Sequence, residues 1–486
     1  MQGPLRRPAP PGCWLAVLVA LAGAAAAPAP APAQENTVGA RGPSTLVYPP
    51  FRHTYGIHKA RTQHLKLFLG GRTVFADPSG MAAVKLAQDD DPDLRGDDFQ
   101  LTVLGLNSGR GEIIYNSSMQ TLAMYGTHGS GVGQFDRPRS IGADVNGNVY
   151  VADTGNRRVV RLLWQDRQLR WAGELPGRFA EPWGIAVAPP GDEVYVSDRE
   201  ADQVLRWAPP GGGATSTTAG RDSAGAAGDQ PPGGLVPLFP QGLPRPTALA
   251  VLDRDERWLR GKEDALFVVY EDGARLGKFD FAGRPLASVA AAERETLRAP
   301  PRFAHVATDF YGNVYVTDSG NGTIYKYTRD LTFLTRYGEQ GEGEFQLDEP
   351  RGIAIWKRFG QIFVAEREGA QYFFVGTDVR LPDGPLAIRR ERTEDGEGWA
   401  FDAFFTEPTE LSVSFLAADG SLVDSLSLRQ PLDSGAVTVR LEGSRTLVPN
   451  LAARAATIVL EPKPTYSSRK RFARRIEREI EWHEDS

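Results

Sequence analysis

His53, His58, His64, His128, His305 and His483 are the only imidazoles in the 486 residues, and Cys13 is the only thiol. A metal-assisted reaction needs several such donors on one ion, which can then polarise a carbonyl or lower the pKa of water. His305, in RFAHVATD, falls on a segment expected to line an interior and is the candidate metal ligand. His53 and His58 stand in YPPFRHTYGIHKA, where Pro and Gly predict an extended arm and the spacing fits no helical ligand pair. Asp153, Asp198 and Asp318 recur after similar apolar runs, with Glu366 in the same slot of a further run. Such side chains can bond the backbone N–H groups of a nearby turn, which explains the recurrence without catalysis. Arg139, Trp183, Arg302 and Arg351 precede or open short apolar runs and are the ligand-binding candidates. A basic and aromatic rim could hold an anionic, sugar-like or peptide ligand, or its cations could pack over neighbouring rings and carboxylates. Nothing resembles a GxSxG elbow, a P-loop or a dinucleotide fingerprint in its strand-to-helix setting.

The elements that position these residues come from repetition. GVGQFDRPRSIGADVNGNVYVADTGNRRVVRL, from Gly131, recurs as GRFAEPWGIAVAPPGDEVYVSDREADQVLRW from Gly177 and PRFAHVATDFYGNVYVTDSGNGTIYKY from Pro301. It recurs again as GEGEFQLDEPRGIAIWKRFGQIFVAEREGAQYFF from Gly341, with a divergent copy from Leu243. In each, an apolar run after proline makes an inner strand, a Gly-containing turn reverses the chain, and Val-Tyr-Val or its like makes the next strand. Tyr150, Tyr195, Phe267, Tyr315 and Phe363 anchor these second strands. One such sheet cannot bury both faces, so neighbouring sheets stack radially without exposing long edges. Inner strands expected near residues 78, 138, 182, 246, 303 and 350 give an all-β, six-bladed β-propeller. Residues 64–77, HLKLFLGGRTVFAD, are expected as an outer hairpin completing the final blade; founding a blade of their own, they would make seven.

The arrangement at Gly131 to Val159 resembles the NHL repeat, with partial copies at 177–206, 301–327 and 341–372. The resemblance implies a propeller over 64–380, of a secreted bacterial type. NHL-like propellers include protein or RNA interaction modules, extracellular sensor domains and a few enzymes. The enzymes include a copper- and zinc-associated amidating lyase family and metal-dependent lactonase-like relatives. The lyase likeness implies several axial histidines. Depending on register, the counterparts of His305 are Gly142, Ile185 or Ala186, Leu249, and Ile353 or Ala354, so no ring of histidines is present.

Composition narrows the partners. A net charge of −6 leaves no broad cationic surface for a phosphate backbone, so no nucleic acid is expected. Arg157, Arg158 and Arg161 lack aromatic interleaving and read as the solvated side of an outer strand. Residues 1–34 combine Arg6 and Arg7, an apolar run from Trp14 and the small residues Ala31 to Ala33. This predicts a cleaved secretory signal, hence a secreted or periplasmic chain with no stable membrane span. Loss of Cys13 with the signal would leave no cysteine and no dependence on disulfides.

Residues 35–63 are expected as an extended arm and 381–400, polar and charged, as a linker. Alternating apolar runs over 401–463 predict a small antiparallel, sandwich-like β domain. In the tail, 464–486, Phe472, Ile476 and Ile480 share one face of an expected short helix. Together these features predict an exported, non-enzymatic binding or scaffold protein. Its propeller loops and central mouth would take a protein, peptide or glycan-like ligand, and no cofactor is required. The alternative is a metal-dependent lyase or hydrolase with a divalent ion in the funnel at His305.

Overall fold

A computed structural model of the chain describes residues 45–49, 54, 56–71, 73–90, 101–117, 121–188, 191, 193–209, 233–291, 297, 299–393, 396–428, 430–441, 450–466 and 474–483. The expected signal, Cys13 and His53 lie outside the described residues. Six antiparallel sheets stand around one axis. Their inner strands, blades 1 to 6, are Pro78–Val84, Ser140–Ala143, Pro182–Val187, Leu249–Leu252, Phe303–Thr308 and Gly352–Trp356, close to their expected starts.

Register explains why the repeat has its pattern. Each aromatic anchor of a second strand lies opposite a small inner-strand residue: Tyr150 opposite Gly142, Tyr195 opposite Ala186, Phe267 opposite Ala250, Tyr315 opposite Ala307, and Phe363 opposite Ala354. In blade 1 Leu104 faces Ala82. Bulk between blades is thus supplied by the second strands, while the inner strands stay thin enough to meet around the axis. The anchors are buried, and burying a large apolar side chain contributes about 1.5–3 kcal/mol. Two positions before these small residues come Gly80, Ser140, Gly184, Ala248 and Gly352. A methyl group on Gly352 would overlap the Ser79 carbonyl oxygen of blade 1, and one on Gly184 the Thr247 carbonyl oxygen of blade 4. Blade 5 breaks the series with His305.

The ring closes differently from expectation. Leu46–Val47 and Lys59–Arg61 pair with Gly369–Val375 and share the outer position of blade 6. The hairpin expected at 64–77 is not formed, because Thr62–Leu69 is a helix. Its first turn is secured by His64 Nδ1, which accepts the Arg61 backbone N–H at 3.0 Å, and Leu65 is its buried residue. The closing strands therefore come from the segment expected as an extended arm.

Beyond the ring, eight strands form a mixed sheet that wraps around its own core, centred on Phe401, Phe405, Val413, Phe415, Ile458 and Leu460. Two expectations are corrected here. The segment expected as a linker carries Leu386–Thr393 and the start of Gly396–Phe405. The tail is a strand, Ile476–His483, not a helix. Ile476 and Ile480 satisfy either period, but half-buried Trp482 continues the alternation of a strand and packs on Trp399 at 4.7 Å. The tail inserts between Leu386–Thr393, in parallel, and Thr457–Pro464, antiparallel, covering edges that would otherwise be open. This sheet meets blade 5 through Lys326 and Glu407, both buried, with Asn313 3.4 Å from the Glu407 carboxylate and the Lys326 ammonium 5.1 Å over the Tyr315 ring.

Candidate functional site: the two mouths of the channel

The inner strands run in the same direction, so the residues at their starts share one mouth. Asp77, just before blade 1, receives Arg351 and lies 3.7 Å from Arg139. Arg351 also holds Glu349 at 2.7 Å. Arg139 and Arg199 lie over the Trp183 indole at 5.1 and 4.7 Å. Arg199 is fixed by Glu181 and Asp272, each at 2.7 Å. Asp272 also takes Arg245 at 3.4 Å, and its backbone carbonyl accepts Arg302 Nε at 2.6 Å. Contacts therefore run without a break from Arg351 to Arg302, and all four sequence candidates belong to one arc.

Electrostatics fix this arc. Burial disfavours the charge of Arg139 and lowers its pKa, with Arg137 adding to the effect; burial acts alike on Arg351, assisted by Arg367. Burial would raise Asp272, but hydrogen bonding and charge from Arg199, with Arg245, more than offset it and hold the carboxyl below its ordinary value. Only Arg302, exposed, has no carboxylate partner among the described residues. The sequence reading missed Asp77, Glu181, Arg199, Asp272 and Glu349. Four of them left a signal: Asp77, Glu181 and Glu349 open the repeated DPSGMA, EPWGIA and EPRGIA, and Arg199 follows Asp198 as Arg367 follows Glu366.

At the other end, where the inner strands finish, a cavity of about 510 Å³ opens, and none of the four rim candidates lines it. Its mouth carries Trp258, Trp356 and paired charges: Lys357 with Glu256 at 2.5 Å, Arg257 with Asp90 at 3.1 Å and Lys85 with Asp90 at 3.8 Å. His305 lines this cavity. Its true counterparts are Gly80, Ser140, Gly184, Ala248 and Gly352, not the residues expected from the sequence alone. The pairing with Thr317 shows this, since the His305 N–H reaches the Thr317 hydroxyl at 3.0 Å as the Gly184 N–H reaches that of Ser197 at 2.7 Å. The side chain is partly open to the channel, yet its ring is enclosed enough that desolvation pushes its pKa down to about 4.

The donor set does not fit a catalytic metal. Among the described residues no group of three His, Cys, Asp or Glu side chains could hold an ion, at His305 or elsewhere. His58 packs against Tyr48 with the rings tilted and their centroids 3.9 Å apart. The recurrent acids hold loops. Asp153 accepts the Asp136 N–H, Asp198 those of Ala180 and Glu181, Asp318 those of Gly320 and Asn321, and Glu366 that of Asp348. Arg158 bonds Asp153 and Glu174, and Arg161 bonds Asn148, so both are tied into blade 2.

The NHL repeat model matches residues 135–162 and 179–207, the inner three strands of blades 2 and 3. The chain is an NHL-repeat β-propeller with an added C-terminal mixed sheet. No curated protein matches it. Among solved structures it is similar to the virginiamycin B lyase of Staphylococcus aureus, at 16% identity over 56% of this chain and 76% of that one, with a TM-score of 0.37. It is also similar to a gluconolactonase of Xanthomonas campestris, at 13% identity over 68% and 98%, TM-score 0.42. A third is the calcium-binding protein regucalcin of Agrobacterium tumefaciens, at 12% identity over 63% and 91%, TM-score 0.38.

Proposed function

We propose that the protein is an exported, non-enzymatic binding or scaffold module that takes an anionic stretch of a protein, peptide or glycan at the arginine mouth. The observation that supports this most is the Trp183 indole carrying two guanidiniums, Arg139 and Arg199, whose positions carboxylates already fix. Such a surface offers stacking and charge-assisted hydrogen bonds while losing little side-chain freedom on binding. Arg302 is the contact a ligand carboxylate reaches without displacing a protein carboxylate.

Titration calorimetry of the mature chain with oligogalacturonate and with a glutamate-rich peptide, against neutral counterparts, tests the reading. Saturable binding without product is expected, weakening as salt screens it and falling by about tenfold in Trp183→Ala. Equal binding of neutral ligands, or turnover of a bound one, would sink it.

A further inference from the structure

We propose that residues 253–264 form a strap across the far mouth of the channel, and that its tip, 255–258, is a latched gate limiting the size of molecule that enters the cavity. The strap is independent of the arginine mouth. Loop length sets it apart. Between inner and second strands, blades 2, 3, 5 and 6 use only 144–147, 188–193, 309–313 and 357–360, enough to reverse the chain. Blade 4 uses 253–264, a loop long enough to reach out by about 20 Å. Blade 4 lies opposite blade 1 in the ring, and the loop crosses to it, where Arg257 holds Asp90 at 3.1 Å. Glu256 holds Lys357 of blade 6 at 2.5 Å. Arg358 of the same blade lies 4.8 Å over the Trp258 ring, which Arg257 also approaches at 4.6 Å. Asp255, Glu256, Arg257 and Trp258 all line the cavity, so the tip bounds its opening.

The two halves of the strap are held differently. Residues 259–261 are fixed to blade 5. Leu259 is buried, the Arg260 N–H reaches the Phe310 carbonyl at 2.8 Å, and Arg329 donates to the Arg260 and Gly261 carbonyls, each at 2.9 Å. Arg254 and Asp264, paired at 2.6 Å, clasp the base of the loop. The tip instead meets blades 1 and 6 through charged and aromatic side chains. The Arg257 side chain is 59% exposed, so water and salt compete for its pair with Asp90. Asp90 also lies 3.8 Å from Lys85 and 4.0 Å from Arg358, and therefore keeps cationic neighbours when Arg257 leaves. The Glu256–Lys357 pair is more enclosed and holds the latch shut. Backbone bonds and a buried leucine stay made while surface pairs open, so the tip can swing away without unfolding blade 4.

A single introduced thiol reports the opening, because the mature chain is expected to carry none. Ala143→Cys places it at a half-buried position of the cavity wall. Its labelling rates with two neutral reagents, N-ethylmaleimide and the bulkier N-(1-pyrenyl)maleimide, are followed by intact mass. Releasing the latch with Glu256→Gln and Arg257→Gln together should raise the pyrenyl rate about tenfold and the ethyl rate by no more than about twofold. Added sodium chloride should speed pyrenyl labelling of the latched chain and leave the released one unchanged. Arg302→Ala, at the opposite mouth, should change neither rate. Circular dichroism checks each variant for folding, and the salt series decides if the double variant fails. Equal pyrenyl rates with and without release, equal gains for both reagents, no response to salt, or a gain in Arg302→Ala would each overturn the gate.

Discussion

Two seams hold the molecule together. Where the ring closes on itself, backbone pairing joins Leu46–Val47 and Lys59–Arg61 to blade 6, and Gly352 presses against Ser79. Where the ring meets the C-terminal sheet, the joining groups are a buried ammonium and a buried carboxylate, Lys326 and Glu407, beside the buried side chains of Asp309, Asn313 and Tyr315. The first seam uses groups that every blade has, so it tolerates a change of side chain wherever the backbone is kept. The second sets one residue from outside the ring, Glu407, against a cation the blades repeat: Lys326 stands opposite Tyr315 as Arg161 stands opposite Tyr150 and Lys278 opposite Phe267. Its strength rests on both members of the pair staying in place, since the buried Lys326 ammonium left without its acceptor is strongly destabilising.

The largest expected effect follows from that contrast. Glu407→Ala should destabilise the protein by about 3–5 kcal/mol by leaving the Lys326 ammonium buried without its partner, whereas Lys326→Met with Glu407→Leu should recover most of the loss by removing that ammonium as well. Denaturant unfolding of the two variants checks this; equal damage in both would mean that packing, not charge, holds the seam. The pH dependence sharpens it. Burial pushes Glu407 up to about 8 against the pull of Lys326, with Asp309 adding to the rise. The folded chain then keeps a proton that the unfolded chain releases near the ordinary value of 4.5. Stability from this group is present below that value and is lost as pH rises toward 8. Denaturation midpoints should fall between pH 5 and pH 8, and Glu407→Gln should flatten the trend.

Next comes the ring seam. Gly352→Ala should cost about 1–3 kcal/mol, because the new methyl can fit only if blades 6 and 1 move apart. Thermal unfolding reads the loss, and an unchanged midpoint would show that the seam has slack. Smaller again is Arg61→Ala. Glu366 would lose its 2.6 Å ion pair but keep the Asp348 N–H and the Gln371 amide, so about 1 kcal/mol is expected.

The same contrast decides what could be read in the sequence. Blade positions were legible because Tyr150, Tyr195, Phe267, Tyr315 and Phe363 each demand a small partner across the strand, and that demand repeats. Arg139, Trp183 and Arg351 were found at one mouth for the same reason, since they sit at equivalent repeat positions, whereas Arg302 takes the place that Glu181 holds in blade 3. Of their partners, Asp272 was missed because it stands at a positive φ of 54° in a turn with no repeat signature, whereas Asp77, at 53°, precedes Pro78 as Glu181 precedes Pro182, a repeat that was overlooked. The tail was misread because Ile476 and Ile480 fit both periods, and only the free edges of two distant strands decide between them. Glu407 left no local signal, since its burial is created by blade 5, far away in the chain. His305 was visible as an exception, but its equivalents were not, because the bulge between Phe303 and His305 shifts the register.

The smallest stability effect belongs to a residue expected to matter for binding. Among the described residues the Arg302 side chain makes one hydrogen bond, an exposed one from Nε to the Asp272 carbonyl. Its removal should therefore change unfolding by no more than about 0.5 kcal/mol. Unlike Arg199 or Arg351, it holds no carboxylate whose release would rearrange the arc. Arg302→Ala should then weaken binding of oligogalacturonate or an acidic peptide by about tenfold, the loss of one charge-assisted contact. Unfolding and calorimetry on this one variant separate the seams from the mouth. A stability loss comparable to that of Gly352→Ala would make Arg302 part of the ring's framework, whereas unchanged stability with weakened binding would assign it to the ligand.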